Sequence, residues 1–71
     1  MACLNPDGTI TASATAILTA LRSPATAEQV APLAGLPLFR VRSALRELAA
    51  AGLVVTEGGR YRLTETGLAR I

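Results

Sequence analysis

A chain of 71 residues with a net charge of +2, one cysteine and no histidine forms one domain with a thin core, because a globule this small buries only about 60% of the surface its unfolded chain exposes. An internal disulfide is excluded, and a conventional zinc site or an iron–sulfur cluster has too few ligands, so no metal or other cofactor is expected. The chain is about half hydrophobic, with much of that from alanine and only two aromatic residues, Phe39 and Tyr61, a composition that favours helix over sheet.

Residues 1–10 begin irregularly. Asn5-Pro6-Asp7-Gly8 is a turn sequence in which Pro6 presets φ and Gly8 accepts a positive one, with Leu4 and Ile10 on either side. Cys3 has no basic neighbour to lower its pKa and no second cysteine to resolve an oxidised form. From Thr11 to Arg22 the spacing of Ala14, Ile17, Leu18 and Leu21 predicts a helix capped by Thr11 or Ser13 and ended by Ser23-Pro24. Thr26-Ala27-Glu28-Gln29 is a capping box that opens a second, short helix. Val30, Leu33 and Ala34 are its expected apolar side. Pro32 removes the hydrogen bond to the Glu28 carbonyl and should bend or shorten the helix before Gly35 caps it.

The stretch 34–54 is the one the remaining chain is arranged around. After the turn Gly35-Leu36-Pro37, a helix over 37–51 gathers Val41, Ala44, Leu45 and Leu48 in one sector at about 100° per residue. Leu38 lies about 60° from Val41, near that core sector, while Phe39 lies about 160° away. Phe39, Arg42, Ser43 and Arg46 thus share the outward face. Two helices joined by about three residues including a glycine form a helix-turn-helix arrangement.

Beyond Gly52, the runs 53–57 and 60–64 are separated by Gly58-Gly59, a strong hairpin signal because a two-residue type I′ turn needs positive φ at both positions. The implied register sets Val54 opposite Leu63 and Thr56 opposite Tyr61 on an inner, apolar face. It sets Val55 opposite Arg62 and Glu57 opposite Arg60 on an outer one. Thr64 and Glu65 open a last helix of about two turns. Net charge alone is a weak basis for binding a polyanion, but placement says more. All seven basic residues are arginine, and five of them, Arg40, Arg42, Arg46, Arg60 and Arg62, fall within 40–62. Glu47 near Arg40 and Glu57 opposite Arg60 suggest surface ion pairs.

The order helix, helix, turn, helix, hairpin, helix start resembles the winged helix-turn-helix domain of bacterial transcription regulators, including the antibiotic-resistance (MarR) and arsenic-resistance (ArsR) repressor types. The resemblance covers nearly the whole chain. It rests on Ala34-Gly35-Leu36, on Val41, Leu45 and Leu48, on Ala51-Gly52-Leu53-Val54, and on 61–67, Tyr-Arg-Leu-Thr-Glu-Thr-Gly. It implies a mainly α fold with a small β-hairpin, a three-helix core plus a two-stranded wing, in a single domain over 1–71. It also implies that helix 37–51 enters the major groove of double-stranded DNA while the wing, 54–63, touches flanking backbone or minor groove. Leu38, Phe39, Arg40, Arg42, Ser43 and Arg46 then hold the contact positions on the helix, and Arg60 and Arg62 those on the wing. Arginine suits both tasks, since it donates bidentately to guanine and neutralises phosphate.

Phe39 departs from the small polar residues usual at the start of such a helix, and it carries the alternative: an interaction module offering Leu38, Phe39 and Val55 to a protein partner. An enzyme is not expected, because histidine is absent, the five carboxylates are scattered and no glycine-rich phosphate loop occurs. No apolar run approaches the roughly 20 residues that span a bilayer, and Met1 is not followed by a charged region and an apolar signal core. A soluble cytoplasmic protein with no membrane partner is expected. A homodimer would use the first helix and N-terminal segment, or the stub at Gly67 to Ile71.

Overall fold

Thr11 starts the first helix as its sequence suggests: its Oγ1 accepts from the Ala14 N–H at 3.1 Å. The structure, a computed structural model, describes residues 11–71. The turn expected at Asn5 to Gly8, with Leu4 and Ile10 beside it, and the reading of Cys3 lie outside them. Helix α1 spans Ala12–Ala20 and buries Ala14, Ile17 and Leu18. It stops two residues short of the expected Arg22, because the Leu21 N–H turns to the Leu18 carbonyl as well as that of Ile17. The last turn thereby tightens ahead of Ser23-Pro24, where the α conformation is disfavoured.

Helix α2 spans Ala27–Ala34 and opens on the full capping box. The Gln29 N–H donates to Thr26 Oγ1 at 3.2 Å, and Gln29 Oε1 accepts from the Thr26 N–H at 3.0 Å. Thr26→Ala is expected to cost about 1 kcal/mol, read as a lowered midpoint in urea with an unchanged slope. Pro32 is held inside the helix on its exposed side and does not end it. Gly35, with φ of 70°, then reverses the chain, and the Leu36 N–H reaches back to the Ala31 carbonyl.

Leu33 corrects the sequence reading. It is 70% exposed, and α2 packs instead through Ala27 and Val30, with Ala31 and Ala34 partly covered. On the helical wheel those four centre about 110° away from Leu33, and their short side chains let α2 sit close against its neighbours.

Helix α3 runs Leu38–Ala50 with Pro37 just outside it as N-cap, one residue shorter at each end than expected. Val41, Ala44, Leu45 and Leu48 are all fully buried. Gly52, at φ of 79°, lets the Leu53 N–H close onto the Leu48 carbonyl at 2.9 Å and delivers the chain into the hairpin. Strands β1 (Val54–Glu57) and β2 (Arg60–Leu63) pair antiparallel in the register read from the sequence. Gly58 and Gly59 have φ of 59° and 79°, the two positive values that the tight turn requires.

A connection that the sequence did not signal joins this hairpin to the helices. Ala25, between α1 and α2, exchanges both backbone hydrogen bonds with Tyr61, at 2.8 and 3.1 Å. Helix α4, Glu65–Ala69, is capped by Thr64, whose Oγ1 accepts from the Gly67 N–H and donates to the Gly52 carbonyl at 2.7 Å. The core is one apolar cluster drawn from α1, α2, α3 and the base of the hairpin. No helix among the described residues is long and apolar enough to cross a membrane.

Candidate nucleic-acid interface

Burying Val41, Ala44, Leu45 and Leu48 commits the opposite side of α3 to the outside. Phe39 is 71% exposed, and Arg42, Ser43 and Arg46 are exposed along the same stripe. Leu38 turns partly inward and packs against the core. Arg40 is half-buried and already interacts within the fold. Of the six helix positions singled out in the sequence, four therefore form the outward stripe and two lean toward the body of the domain.

A groove of about 440 Å³ separates this helix from the hairpin, bordered by Glu28, Arg42, Arg46, Thr56, Gly59 and Tyr61 among others. Three elements make it. The capping box fixes the first turn of α2 and so places Glu28. The core stripe of α3 sets Arg42 and Arg46 one helical turn apart. The Ala25–Tyr61 bridge ties the strand that carries Tyr61 to the start of α2.

The two arginines differ in state. Arg42 Nη2 lies 3.3 Å from Glu28 Oε2, an ion pair whose side chains are 58% and 64% exposed. Such a pair is worth little, about 0–1 kcal/mol. The Arg46 side chain forms no hydrogen bond or ion pair among the described residues.

The hairpin divides what the sequence had grouped. Its inner face is core only at the Val54–Leu63 end. At the other end Tyr61 is half-buried and Thr56 exposed, and both open onto the groove. Neither Thr56, Tyr61 nor Glu28 was singled out as a site residue. The available signal was that a threonine stands where a buried inner face would carry an aliphatic residue. Arg60 and Arg62 lie on the other face with Val55 and Glu57. The ion pair there joins Glu57 to Arg62, at 3.2 Å, instead of to Arg60 directly opposite. The diagonal neighbour is within reach of a side chain as long as arginine. Arg62 also borders a second groove, of about 430 Å³, with Leu21, Leu63, Leu68 and Ile71. The helix arginines and Arg62 thus open onto opposite sides of the hairpin.

Compared with known proteins, the chain matches no family model, and no curated protein is significantly similar to it.

Proposed function

We propose that this chain is a winged helix-turn-helix domain that binds duplex DNA as a regulator of transcription, with α3 in the major groove and the β1–β2 hairpin as the wing. The observation that carries this reading is the outward stripe of α3, on which Arg42, Ser43 and Arg46 stand exposed beside a groove closed by the hairpin. A major groove about 12 Å wide admits an α-helix, and its guanines present O6 and N7 to an arginine fork. Ser43 suits a phosphate or a base edge. Arg60 suits phosphate, since it is exposed next to the turn and makes no ion pair among the described residues.

The test is a titration of duplex DNA across a range of salt. Affinity is expected to fall linearly on a double-logarithmic plot, with a slope near −0.9 for each phosphate neutralised. Two or three such contacts give a slope of roughly −2 to −3.

The exposure of Phe39 supports one other reading, a module that docks a protein partner through an aromatic anchor. Absent or salt-insensitive DNA binding, together with capture of a protein that is lost on Phe39→Ala, would decide for that reading and against the first.

A further inference from the structure

We infer that Glu28 is a specificity residue of the DNA-binding face: an internal counter-ion that withholds Arg42 from phosphate and so suppresses sequence-independent binding. The inference rests on the DNA-binding reading above and adds a role that the sequence did not suggest, since Glu28 and Arg42 lie on different helices, 14 positions apart.

The geometry is specific. Among the described residues Glu28 is the only carboxylate bordering the groove that holds Arg42 and Arg46, and the capping box pins the turn that bears it. Its Oε2 accepts from Arg42 Nη2, so the pair is neutral as a unit. The Arg46 side chain, a turn further along, has no such counter-ion among the described residues. A phosphate can reach the remaining donors of Arg42, but there it lies beside the Glu28 carboxylate and is repelled by it. A guanine edge meets a different situation. It carries no net charge, so Glu28 repels it far less, and the remaining guanidinium donors of Arg42 are still available to O6 and N7. A carboxylate can also accept from the amino group of cytosine. Glu28 therefore lowers affinity for phosphate more than affinity for a base edge, which is a gain in selectivity achieved by repulsion.

The experiment is a double-mutant cycle on the 71-residue chain, with Glu28→Gln, Arg42→Ala and the two combined, titrated against a mixed-sequence duplex at several salt concentrations. Glu28→Gln is expected to steepen the salt slope by about 0.9, one added phosphate contact. Extrapolated from 1 M salt, that contact amounts to about eightfold tighter binding at 0.1 M. Arg42→Ala is expected to cancel the gain in the Glu28→Gln background, and to cost less affinity for this duplex in the wild-type background than in that one. Glu28→Ala, which removes the side chain's acceptors altogether, repeats the test, and circular dichroism checks that each variant is folded. If the wild type binds but Glu28→Gln leaves slope and affinity unchanged, the inference is overturned while the DNA-binding reading stands. If neither the wild type nor any variant binds duplex DNA, the underlying reading itself fails.

Discussion

Replacing Gly67 with alanine is expected to destabilise the domain by about 2–4 kcal/mol, although the site is in a short terminal helix that contributes little to the core. A Cβ at this position would overlap the carbonyl oxygen of Leu53 and press on Leu63 Cδ2, 3.3 Å away. The obstacle is backbone, and it is held from two directions. The Leu53 carbonyl accepts from the Thr64 N–H at 3.1 Å, while Thr64 Oγ1 binds both the Gly67 N–H and the Gly52 carbonyl. Relieving the overlap means withdrawing α4 from the junction of α3 and β1 and losing part of this cap. Overpacking costs about 1–3 kcal/mol and a hydrogen bond about 0.5–1.5 kcal/mol. The total stability of a domain this size is on the order of 4–10 kcal/mol. Each kcal/mol shifts the midpoint by about 4–8 °C at this length, so thermal unfolding should move down by roughly 8–32 °C. Leu68→Ala, at a neighbouring residue 59% exposed, is the control and should stay close to wild type. A Gly67→Ala midpoint within two or three degrees of wild type, an interval below about 1 kcal/mol, would show that α4 is not seated against Leu53.

Gly67 also marks the boundary of what the sequence made legible. Features set by neighbours a few positions apart could be read directly. The caps at Thr11, Thr26 and Thr64 form as their spacing requires, and the Gly58-Gly59 turn fixes the register of every strand pair. The buried stripe of α3 follows from its 3.6-residue period. Features set by a single contact between distant residues could not be read. A glycine inside α4 looks like a weak point in a helix, and only the closeness of Leu53 explains it. The Ala25–Tyr61 bridge is one rung without a repeating pattern. The apolar side chain of Leu33 points to an inward place by its chemistry alone, whereas the alanine side of α2 packs more closely. The candidate site divides in the same way. The outward stripe of α3 was legible, but the engagement of Arg42 with Glu28 was not. Nor was the separation of Arg62 from the helix arginines, because the path of the hairpin past α3 decides it.

Arg42→Ala combined with Arg46→Ala is expected to weaken binding to a duplex selected from random sequence by at least about 30-fold, since each good arginine contact with a base contributes about 1–3 kcal/mol. Both side chains are exposed, so the variant should fold with stability within about 0.5 kcal/mol of wild type, and the loss is attributable to binding. The single variants carry more information than the pair. The Arg46 side chain has no partner among the described residues, so Arg46→Ala should weaken both selected and mixed-sequence duplexes and reduce the salt slope by about 0.9. Arg42 is already matched by Glu28, so Arg42→Ala should act chiefly on the selected duplex. Arg62 faces the other side of the hairpin and pairs with Glu57, so Arg62→Ala should have the smallest effect of the three. Fluorescence anisotropy of labelled duplexes measures all of these. A general basic surface would lose a similar amount for each arginine removed, because only the count of charges would matter. A helix reading a groove loses according to which guanidinium is free and which way it points. Equal losses at Arg42, Arg46 and Arg62 would therefore refute α3 as the reading element, even if the protein bound DNA tightly.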